Sequence, residues 1–406
     1  MVKVSKIFAL LVIVVLASCH SRQGKTQTLG RDKLQLVNSF EILAGAERTD
    51  LYFPGLKGKS VGVICNQTSL IGNTLIVDSL INSGIDVKVI FSPEHGFRGE
   101  FDAGAEIRGY IIYRNGIKVI SLYGKDKKPL PADLEGIDIL LFDIQDVGVR
   151  FYTYISTLAL VMEAAAEQGI PLIVTDRPNP NGFYVDGPVL DTAFRSFVGM
   201  HPVPVIYGMT IGEYALMING EGWLGSNECD LKVIPMDGYE HNMIVSLKIR
   251  PSPNLPNWQS IYLYPSLCLF EGTIISVGRG TDFPFQVIGH PNYLVGSYAF
   301  IPRTIPGMSE NPPFKGQECY GSNLTGFAEN FSKNDDHFTL TWLLGMHDFF
   351  KDSADFFIPY FDKLAGNEQL RKDIQDGKTE KEIRQSWNND LAAFREIRKK
   401  YLLYPE

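Results

Sequence analysis

The stretch "IDILLFDIQDVGVRFYTYISTLALVMEAAAEQGIPLIVTD", residues 137–176, decides the fold class. Its first part, residues 137–143, and its last part, residues 171–176, are short apolar runs typical of strands buried on both faces. The run between them is long enough for a helix and ends at Gly169, a residue that commonly stops helices. A strand, a helix and a second strand in this order indicate two parallel strands of one sheet.

The same alternation continues on both sides of this stretch. Residues 60–65, 86–92 and 118–123 also have the pattern of buried strands, and "TLIVDSLINSG" (74–84) has the length of a helix. A further helix, "TIGEYALMING" (210–220), and a strand, "LKVIPM" (231–236), follow. The sequence therefore predicts an α/β fold with a mostly parallel sheet and helices on both faces.

The composition changes after this part of the chain. Residues 251–320 are rich in Pro, Gly, Asn and aromatic residues, as in loops that cover or build a site. A β-like run, "HFTLTWLLGM" (337–346), and a charged helical stretch (378–401) come last. We expect a catalytic domain over residues 39–255 and a smaller C-terminal α+β domain over residues 256–406.

The N-terminal residues resemble a bacterial lipoprotein signal. Two lysines and an apolar run precede small residues and Cys19, and the run is too short to span a bilayer. We expect removal of residues 1–18, lipid on Cys19, and a tether over residues 19–38. An uncleaved secretory signal with a chance cysteine is the alternative. The expected location is the periplasmic face of the outer membrane, with the cell surface as a second option.

The overall composition limits the classes of partner. The chain has 406 residues, a formal net charge of −8 and 45% hydrophobic residues, which is an ordinary globular composition. Nucleic acid is not expected as a partner because its binding needs a basic face. The other cysteines, Cys65, Cys229, Cys268 and Cys319, form no CxxC pair, which argues against a zinc site. A disulfide between Cys229 and Cys319 is possible.

Polar residues follow four of the predicted strands. The carboxyl ends of parallel strands share one edge of a sheet, which is where ligands bind in open α/β folds. Amides, carboxylates and arginines beside Tyr152 and Tyr154 suit a hydroxyl-rich sugar. These polar residues are Asn66, Gln67, Glu94, His95, Arg98, Glu100, Asp143, Gln145, Asp146, Arg150, Asp176, Arg177, Asn179 and Asn181.

Other kinds of site lack their signatures. No GxGxxG or GxxxxGK[ST] cradle is present, so a nicotinamide-dependent oxidoreductase is not favoured, and no GxSxG supports a serine nucleophile. His95, Asp143, Asp146 and His201 match no metal-binding spacing. We therefore expect neither a cofactor nor a metal.

Five longer motifs occur in order along the chain. They are "SPEHGFRGEFDAG" (92–104), "DIQDVGVRFYTYISTL" (143–158), "DRPNPNG" (176–182), "VPVIYGMTIGEYALMING" (203–220) and "LCLFEGTIISVGRGTDFPF" (267–285). Together they resemble one bacterial family, the NamZ-type exo-β-N-acetylmuramidases, formerly described as a domain of unknown function. The resemblance runs from about residue 57 to the C-terminus and implies a Rossmann-like N-terminal domain, a smaller auxiliary domain and a cleft between them. It also implies cleavage of terminal β-linked N-acetylmuramic acid from peptidoglycan fragments.

The resemblance implies catalytic roles for Glu94 and Glu271. Glycoside hydrolysis needs one carboxyl group that protonates the leaving oxygen and another that attacks or activates water. Glu94 is the expected acid, and Glu271, Asp143 or Glu100 is its expected partner. In a substrate-assisted route the acetamide of the sugar is the nucleophile, and Asp143 or Asp146 orients it. Retaining, inverting and substrate-assisted mechanisms all remain open here.

The expected ligands are saccharides that contain N-acetylmuramic acid. Arg98 and Arg279 lie in glycine-bounded loops and are expected to bind the lactyl carboxylate, since arginine offers a planar two-point fork. Arg150 and Arg177 are two further candidates, with a pair to Asp146 as the alternative for Arg150 and a brace to Asp176 or turn carbonyls as the alternative for Arg177. A non-catalytic sugar-binding lipoprotein is the alternative function, and no protein partner is inferred. The full set of expected binding residues is Asn66, His95, Arg98, Glu100, Gln145, Asp146, Tyr152, Arg177, Asn179 and Arg279.

The lipid anchor is testable through Cys19→Ser. We expect the variant to leave the membrane fraction while remaining soluble and active, since the fold begins about twenty residues after the anchor. Sedimentation of membranes followed by immunodetection measures the loss. A variant that still sediments would show that another surface binds the membrane.

Overall fold

A seven-stranded sheet forms the centre of the computed structural model, which describes residues 36–39, 42–99, 110–329, 338–352 and 355–406. These residues belong to one compact unit. Cys19 and Glu100, two of the predicted functional residues, lie outside the described residues, as do the signal and most of the tether.

Fourteen strands and ten α-helices are present in the described part of the chain. The strands are β1 (Leu36–Asn38), β2 (Ser60–Cys65), β3 (Leu70–Ile71), β4 (Thr74–Leu75), β5 (Asp86–Ser92), β6 (Tyr110–Ile112), β7 (Lys118–Ser121), β8 (Ile139–Asp143), β9 (Leu172–Thr175), β10 (Leu231–Ile234), β11 (Ile244–Ser246), β12 (Val287–His290), β13 (Tyr298–Phe300) and β14 (Cys319–Asn323). The helices are α1 (Phe53–Leu56), α2 (Ile76–Asn82), α3 (Tyr154–Gln168), α4 (Ile211–Gly220), α5 (Trp258–Leu267), α6 (Thr325–Glu329), α7 (Thr341–Phe350), α8 (Phe361–Ala365), α9 (Gln369–Gln375) and α10 (Glu380–Arg398).

The central sheet confirms the predicted α/β class. Its strand order is β10-β9-β8-β2-β5-β7-β6, and every neighbouring pair is parallel except β6 with β7. Alternate residues of β2 face opposite sides, because successive side chains of a strand point to opposite faces. Val63 packs in the core that contains α2, whereas Ile64 packs in the core that contains α3 and α4. Helices therefore cover both faces.

The predicted helix after β8 is α3, and it ends as expected. Gly169 caps it in the left-handed conformation, with φ 64°. All five residues of β8 are buried, which explains why this strand has no polar alternation. The helix and strand carry much of the larger core, from Leu140 and Phe142 to Leu158 and Met162.

The C-terminal part adds a small antiparallel sheet, β12-β14-β13, and the helices from α5 onwards. One hydrophobic core joins it to the central sheet, since Ile64 of β2 and Phe394 of α10 belong to the same cluster of buried residues. The predicted division at residue 255 comes just before α5 and stays a prediction.

The β-like interpretation of residues 337–346 is wrong, because residues 341–350 form α7. Leu343 and Met346 are three residues apart and fall on one buried helical face. A distant carboxylate supports the helix start, since Glu380 accepts hydrogen bonds from the backbone of Leu340 (2.9 Å) and from the hydroxyl of Thr341 (2.9 Å). The local apolar pattern did not reveal this long-range contribution.

Arg150 does not form the pair with Asp146 considered above. Its side chain is completely buried, and its guanidinium donates to four backbone carbonyls at 2.7–2.9 Å. Burial lowers the pKa of Arg150 to about 9. The four acceptors are the carbonyl oxygens of Pro188, Val203, Leu364 and Ala365.

The cysteines at positions 65, 229, 268 and 319 are all buried and free, so Cys229 and Cys319 do not form the disulfide considered above. Within the described residues, no helix has the length and apolar character needed to cross a membrane.

Asp176 follows β9 and is completely buried. It accepts hydrogen bonds from Thr210 (2.6 Å), from the backbone of Gly212 (2.8 Å) and from the hydroxyl of Tyr404 (2.6 Å). Burial raises the pKa of Asp176 to about 6. The carboxylate therefore depends on its donors, one of which comes from the far end of the described chain.

We expect Tyr404→Phe to lower the free energy of unfolding by about 1–3 kcal/mol, because it removes one donor from a buried carboxylate. The matched control is Tyr401→Phe, which removes a hydroxyl bound to Glu221 nearer the surface (2.6 Å) and is expected to cost less than about 1 kcal/mol. Urea unfolding of both variants measures the difference. Equal losses of unfolding free energy in the two variants would show that the hydrogen bond to Asp176 stabilises the fold no more than the one to Glu221 does.

Candidate active site

A cavity of about 660 Å³ lies beyond the carboxyl ends of the central strands and is bounded by loops of the C-terminal part. Its volume is within the range of sites that bind small molecules. The walls come from the segment after β5, the start of α3, the segments after β11 and α5, and the start of α8. Lining residues include Glu94, His95, Tyr152, Thr153, Ser252, Asn254, Tyr264, Glu271, Arg279, Phe285 and Tyr360.

Glu94 lies on the sheet side of the cavity, two residues after the end of β5. Its carboxylate accepts a hydrogen bond from the hydroxyl of Thr153 at the start of α3 (2.8 Å). The next residue, His95, has φ 69°, a backbone conformation that is uncommon for residues other than glycine. The Nε2 atom of His95 lies 3.1 Å from the hydroxyl oxygen of Ser252, so a contact with the distant segment after β11 helps hold this turn.

Glu271 belongs to the C-terminal part of the chain and lies in the 3₁₀ turn after α5. Arg279 binds it with two donors, Nε to Oε1 at 2.5 Å and Nη2 to Oε2 at 3.1 Å. The guanidinium also lies 5.0 Å from the ring centroid of Phe285. Burial acts to lower the pKa of Arg279, but the carboxylate of Glu271 outweighs it and raises that pKa, so the fork remains charged.

Aromatic rings form much of the cavity wall. Tyr152 and Tyr154 meet edge to face with centroids 4.7 Å apart, and Tyr264 meets Phe285 in the same way at 4.8 Å. The hydroxyl of Tyr152 donates to the carbonyl of Pro251 (2.9 Å), which fixes the ring. These rings give the cavity a partly apolar wall, and Tyr152, which the sequence predicted as a sugar-binding residue, is part of it.

Tyr360, just before α8, lies within electrostatic range of both glutamates. Burial raises the pKa of its hydroxyl, and the charges of Glu271 and Glu94 add to that increase. The cavity therefore brings two carboxylates and a phenol together from three distant parts of the chain.

Comparison with known proteins agrees with this geometry. A family profile described as "Exo-beta-N-acetylmuramidase NamZ, N-terminal" matches residues 61–259, and the corresponding "C-terminal" profile matches residues 262–404. The chain belongs to this family.

Relatives match nearly the whole chain. A protein of Bacillus subtilis (strain 168) named peptidoglycan beta-N-acetylmuramidase NamZ is 39% identical over 96% of both chains. Two crystal structures of DUF1343 family proteins from Bacteroides fragilis NCTC 9343 are also similar. One has a TM-score of 0.82 and 45% identity, the other a TM-score of 0.75 and 30% identity, and each comparison covers 90% of this chain and 99% of the other.

Asp143 does not line the cavity of this NamZ family member. Its side chain is completely buried at the end of β8, and Arg177 binds both of its oxygens, at 2.6 and 2.7 Å. Burial acts to lower the pKa of Arg177, but the charge of Asp143 raises it overall. The pair joins the ends of β8 and β9, and Arg177 instead faces a small cavity of about 80 Å³.

Several other predicted binding residues also point away from the main cavity. Asn66 donates to the hydroxyl of Tyr154 (3.1 Å), Gln145 to the carbonyl of Pro178 (2.6 Å), and Asn179 to the carbonyl of Met209 (2.7 Å). Asp146 accepts from Tyr207 and from the backbone of Gly148, and burial raises the pKa of Asp146 to about 6. Among the described residues that form the rim, these side chains bind protein groups.

Arg98 is exposed and is not among the cavity-lining residues. Of the predicted substrate and catalytic residues, the cavity contains Glu94, His95, Tyr152, Glu271 and Arg279. Considering the described residues, no three His, Cys, Asp or Glu side chains are placed to hold a metal ion. His201, one of the metal candidates, stacks on Trp223 with centroids 4.7 Å apart.

Sequence reasoning missed Thr153, Tyr264 and Tyr360. Thr153 is inside the motif at 143–158, so that motif could have identified it as a site residue. Tyr264 precedes the motif at 267–285 by three residues. Tyr360 is in an aromatic run, residues 356–361, that matches none of the quoted motifs.

The position of Asp143 predicts a structural effect for Arg177→Gln. We expect a loss of about 3–5 kcal/mol in the free energy of unfolding, because the variant leaves a buried carboxylate without its cation. The KM of the folded fraction should stay close to that of the wild type. The control is Arg303→Gln, which breaks an exposed pair with Asp282 and should cost at most about 1 kcal/mol. If Arg177→Gln lost turnover without losing stability, Asp143 and Arg177 would instead have a role in catalysis.

Proposed function

We propose that this protein is a glycoside hydrolase that releases terminal β-linked N-acetylmuramic acid from peptidoglycan fragments. The observation that carries the proposal is the meeting of Glu94 and Glu271 in one aromatic-walled cavity. The named activity of the 39% identical relative supports the same reaction. The B. subtilis protein spans the same length, so the comparison covers both halves of the cavity.

Glu94 is the proton donor in this proposal. Glycosidic bond cleavage needs an acid that delivers a proton to the leaving oxygen while the bond to C1 breaks. The hydrogen bond from Thr153 fixes one oxygen of Glu94, and the left-handed turn at His95 fixes the backbone next to it. The leaving sugar departs with the proton of Glu94, the hydroxyl of a water molecule ends on C1, and the remaining proton of that water goes to the carboxylate that activates it.

Glu271 is the second carboxyl group. The fork of Arg279 holds both of its oxygens, so its orientation is set before a substrate binds. Its role is attack on C1 or activation of water, and in a substrate-assisted route the acetamide oxygen attacks instead. Asp143 and Asp146 are turned away from the cavity in this structure, so the proposal does not use them as orienting groups.

The aromatic wall accounts for sugar binding. The rings of Tyr152 and Tyr264 contribute apolar surface to the cavity, and Asn254 adds a polar group with a buried amide oxygen that has no hydrogen-bond partner among the described residues. A sugar provides both an apolar ring face and hydrogen-bond donors. A binding lipoprotein would use the same wall, but it has no need for two carboxylates.

We also propose that the protein is an exported lipoprotein held by Cys19 at the periplasmic face of the outer membrane. The sequence pattern before Cys19 supports this location, and it places the enzyme beside its substrate.

Release of reducing sugar from a fragment that ends in N-acetylmuramic acid tests the function directly. We expect Glu94→Gln and Glu271→Gln each to lower kcat by roughly 10²-fold or more, since each removes a carboxyl group needed at the bond. Glu368→Gln is the matched control, because Glu368 is an exposed carboxylate paired with Lys372 outside the cavity. Circular dichroism confirms that each variant is folded.

The outcome separates an enzyme from a binder. Binding without release by the wild-type protein would overturn the enzymatic assignment. A folded Glu94→Gln variant with near-normal turnover would remove Glu94 from the mechanism but would leave the reaction itself standing.

A further inference from the structure

Three cationic side chains line the main cavity within the described chain: Lys127, Arg279 and Lys363. Arg279 is already engaged, because its fork binds Glu271 and its plane lies over Phe285. An anionic substrate group would have to compete with Glu271 for this arginine. The two lysines therefore need separate consideration.

Lys127 is directed to the cavity by an aromatic ring. Its Nζ atom lies 4.9 Å from the ring centroid of Phe197, and that ring lies 6.2 Å from the ring of Tyr123. All three residues line the cavity. The side chain is half-buried, and it forms no ion pair with any described residue. A half-buried ammonium that lies beside an aromatic ring and has no carboxylate partner can accept an anionic ligand.

The neighbouring lysine is used differently. Lys128 forms ion pairs with Glu163 (3.1 Å) and Glu167 (2.7 Å) on α3, and it does not line the cavity. The same loop thus directs Lys127 to the cavity and Lys128 to the carboxylates of α3. The contrast makes Lys128 an adjacent control for the charge of Lys127.

Lys363, in the first turn of α8, is the second lysine that lines the cavity, and its neighbour Asp362 is also paired elsewhere. Asp362 pairs with Arg371 at 2.8 Å, outside the main cavity, while Lys363 lines the cavity and forms no ion pair in the described part of the chain. It lies three residues after Tyr360, so α8 supplies both a phenol and an ammonium to the cavity.

We propose that Lys127, assisted by Lys363, binds the lactyl carboxylate of the terminal N-acetylmuramic acid; the inference rests on the function proposed above. N-acetylmuramic acid differs from N-acetylglucosamine only by the lactyl ether on C3. C3 is separated from C1 by one ring atom, and the equatorial lactyl ether on C3 carries its carboxylate outward from the ring. A cation that is not bound to a catalytic carboxylate can hold this group without disturbing the cleavage site, whereas Arg279 is bound to Glu271.

The chemistry of lysine fits this role. The chain has a net charge of −8, so an anionic substrate needs local positive charge to enter the cavity. An ammonium on a flexible stem is a point charge that can follow a carboxylate on a rotatable ether. The fork of an arginine demands one planar geometry, which Arg279 already uses with Glu271.

The test compares two substrates that differ only in the lactyl group: one aryl β-glycoside of N-acetylmuramic acid and the same glycoside of N-acetylglucosamine. We expect Lys127→Met to lower the ratio of their kcat/KM values roughly 10- to 100-fold. Lys363→Met should have a smaller effect in the same direction, and Lys127→Arg should keep most of the preference. Lys128→Met should leave the ratio unchanged.

Calorimetry with the free sugars adds a readout that does not depend on turnover. The wild type should bind N-acetylmuramic acid more tightly than N-acetylglucosamine, and the Lys127→Met/Lys363→Met double variant should lose that preference. An unchanged ratio and an unchanged binding preference in the double variant would overturn the inference, as would equal losses on both substrates.

Failure of the proposed function has a different signature. A wild-type protein that cleaves neither glycoside overturns the hydrolase, and calorimetry then decides the carboxylate site separately. A binding preference for N-acetylmuramic acid that the double variant loses would support the site. A wild-type protein without that preference would overturn it.

Discussion

One buried guanidinium connects the segments that surround the cavity. Arg150 is completely buried and donates to the carbonyls of Pro188, Val203, Leu364 and Ala365. A buried charge is costly unless hydrogen bonds replace its water, and here four backbone oxygens do so for the two terminal nitrogens, while Nε has no partner in the described part of the chain. Two of those oxygens belong to the sheet half of the chain and two to α8, so the arginine links both sides of the site. Gly366 is required beside it, because a Cβ there would lie 2.7 Å from the guanidinium.

Arg150 joins the two parts of the chain that supply the cavity-lining residues. Glu94 reaches the cavity from the end of β5, while Glu271 and Lys363 come from the C-terminal part. The shared hydrophobic core and Arg150 make these parts one packed body rather than two independent ones. Carboxylates that must flank a single bond need fixed separation, and rigid surroundings provide it.

The sequence predicted the sheet well because its signals are local. A strand buried on both faces lacks polar alternation, so β8, which is buried at all five residues, and β2, which is buried after Ser60, can be recognised locally. In β5 the same signal is confined to the buried run that follows Lys88. The helix α7 was missed because its start is supported by Glu380, forty residues away. For the site, the sequence identified the rim but not the direction of each side chain. Glu94 lies two residues beyond the end of β5 and lines the cavity, whereas Asp143 is the last residue of β8 and binds Arg177. Tyr360 and Lys127 could not be placed because their relation to Glu94 is purely tertiary.

The contact between Asp176 and Tyr404 has a consequence for the order of folding. The two residues are 228 positions apart in the chain, although Asp176 follows a central strand. During synthesis the ribosome makes the whole parallel sheet long before it makes Tyr404. Until then the buried carboxylate after β9 lacks one of its donors, and α4 packs over an incompletely satisfied charge. The last hydrogen bond of this buried carboxylate, and with it the final closure of the fold around β9 and α4, is therefore expected to form only after Tyr404 has been synthesised.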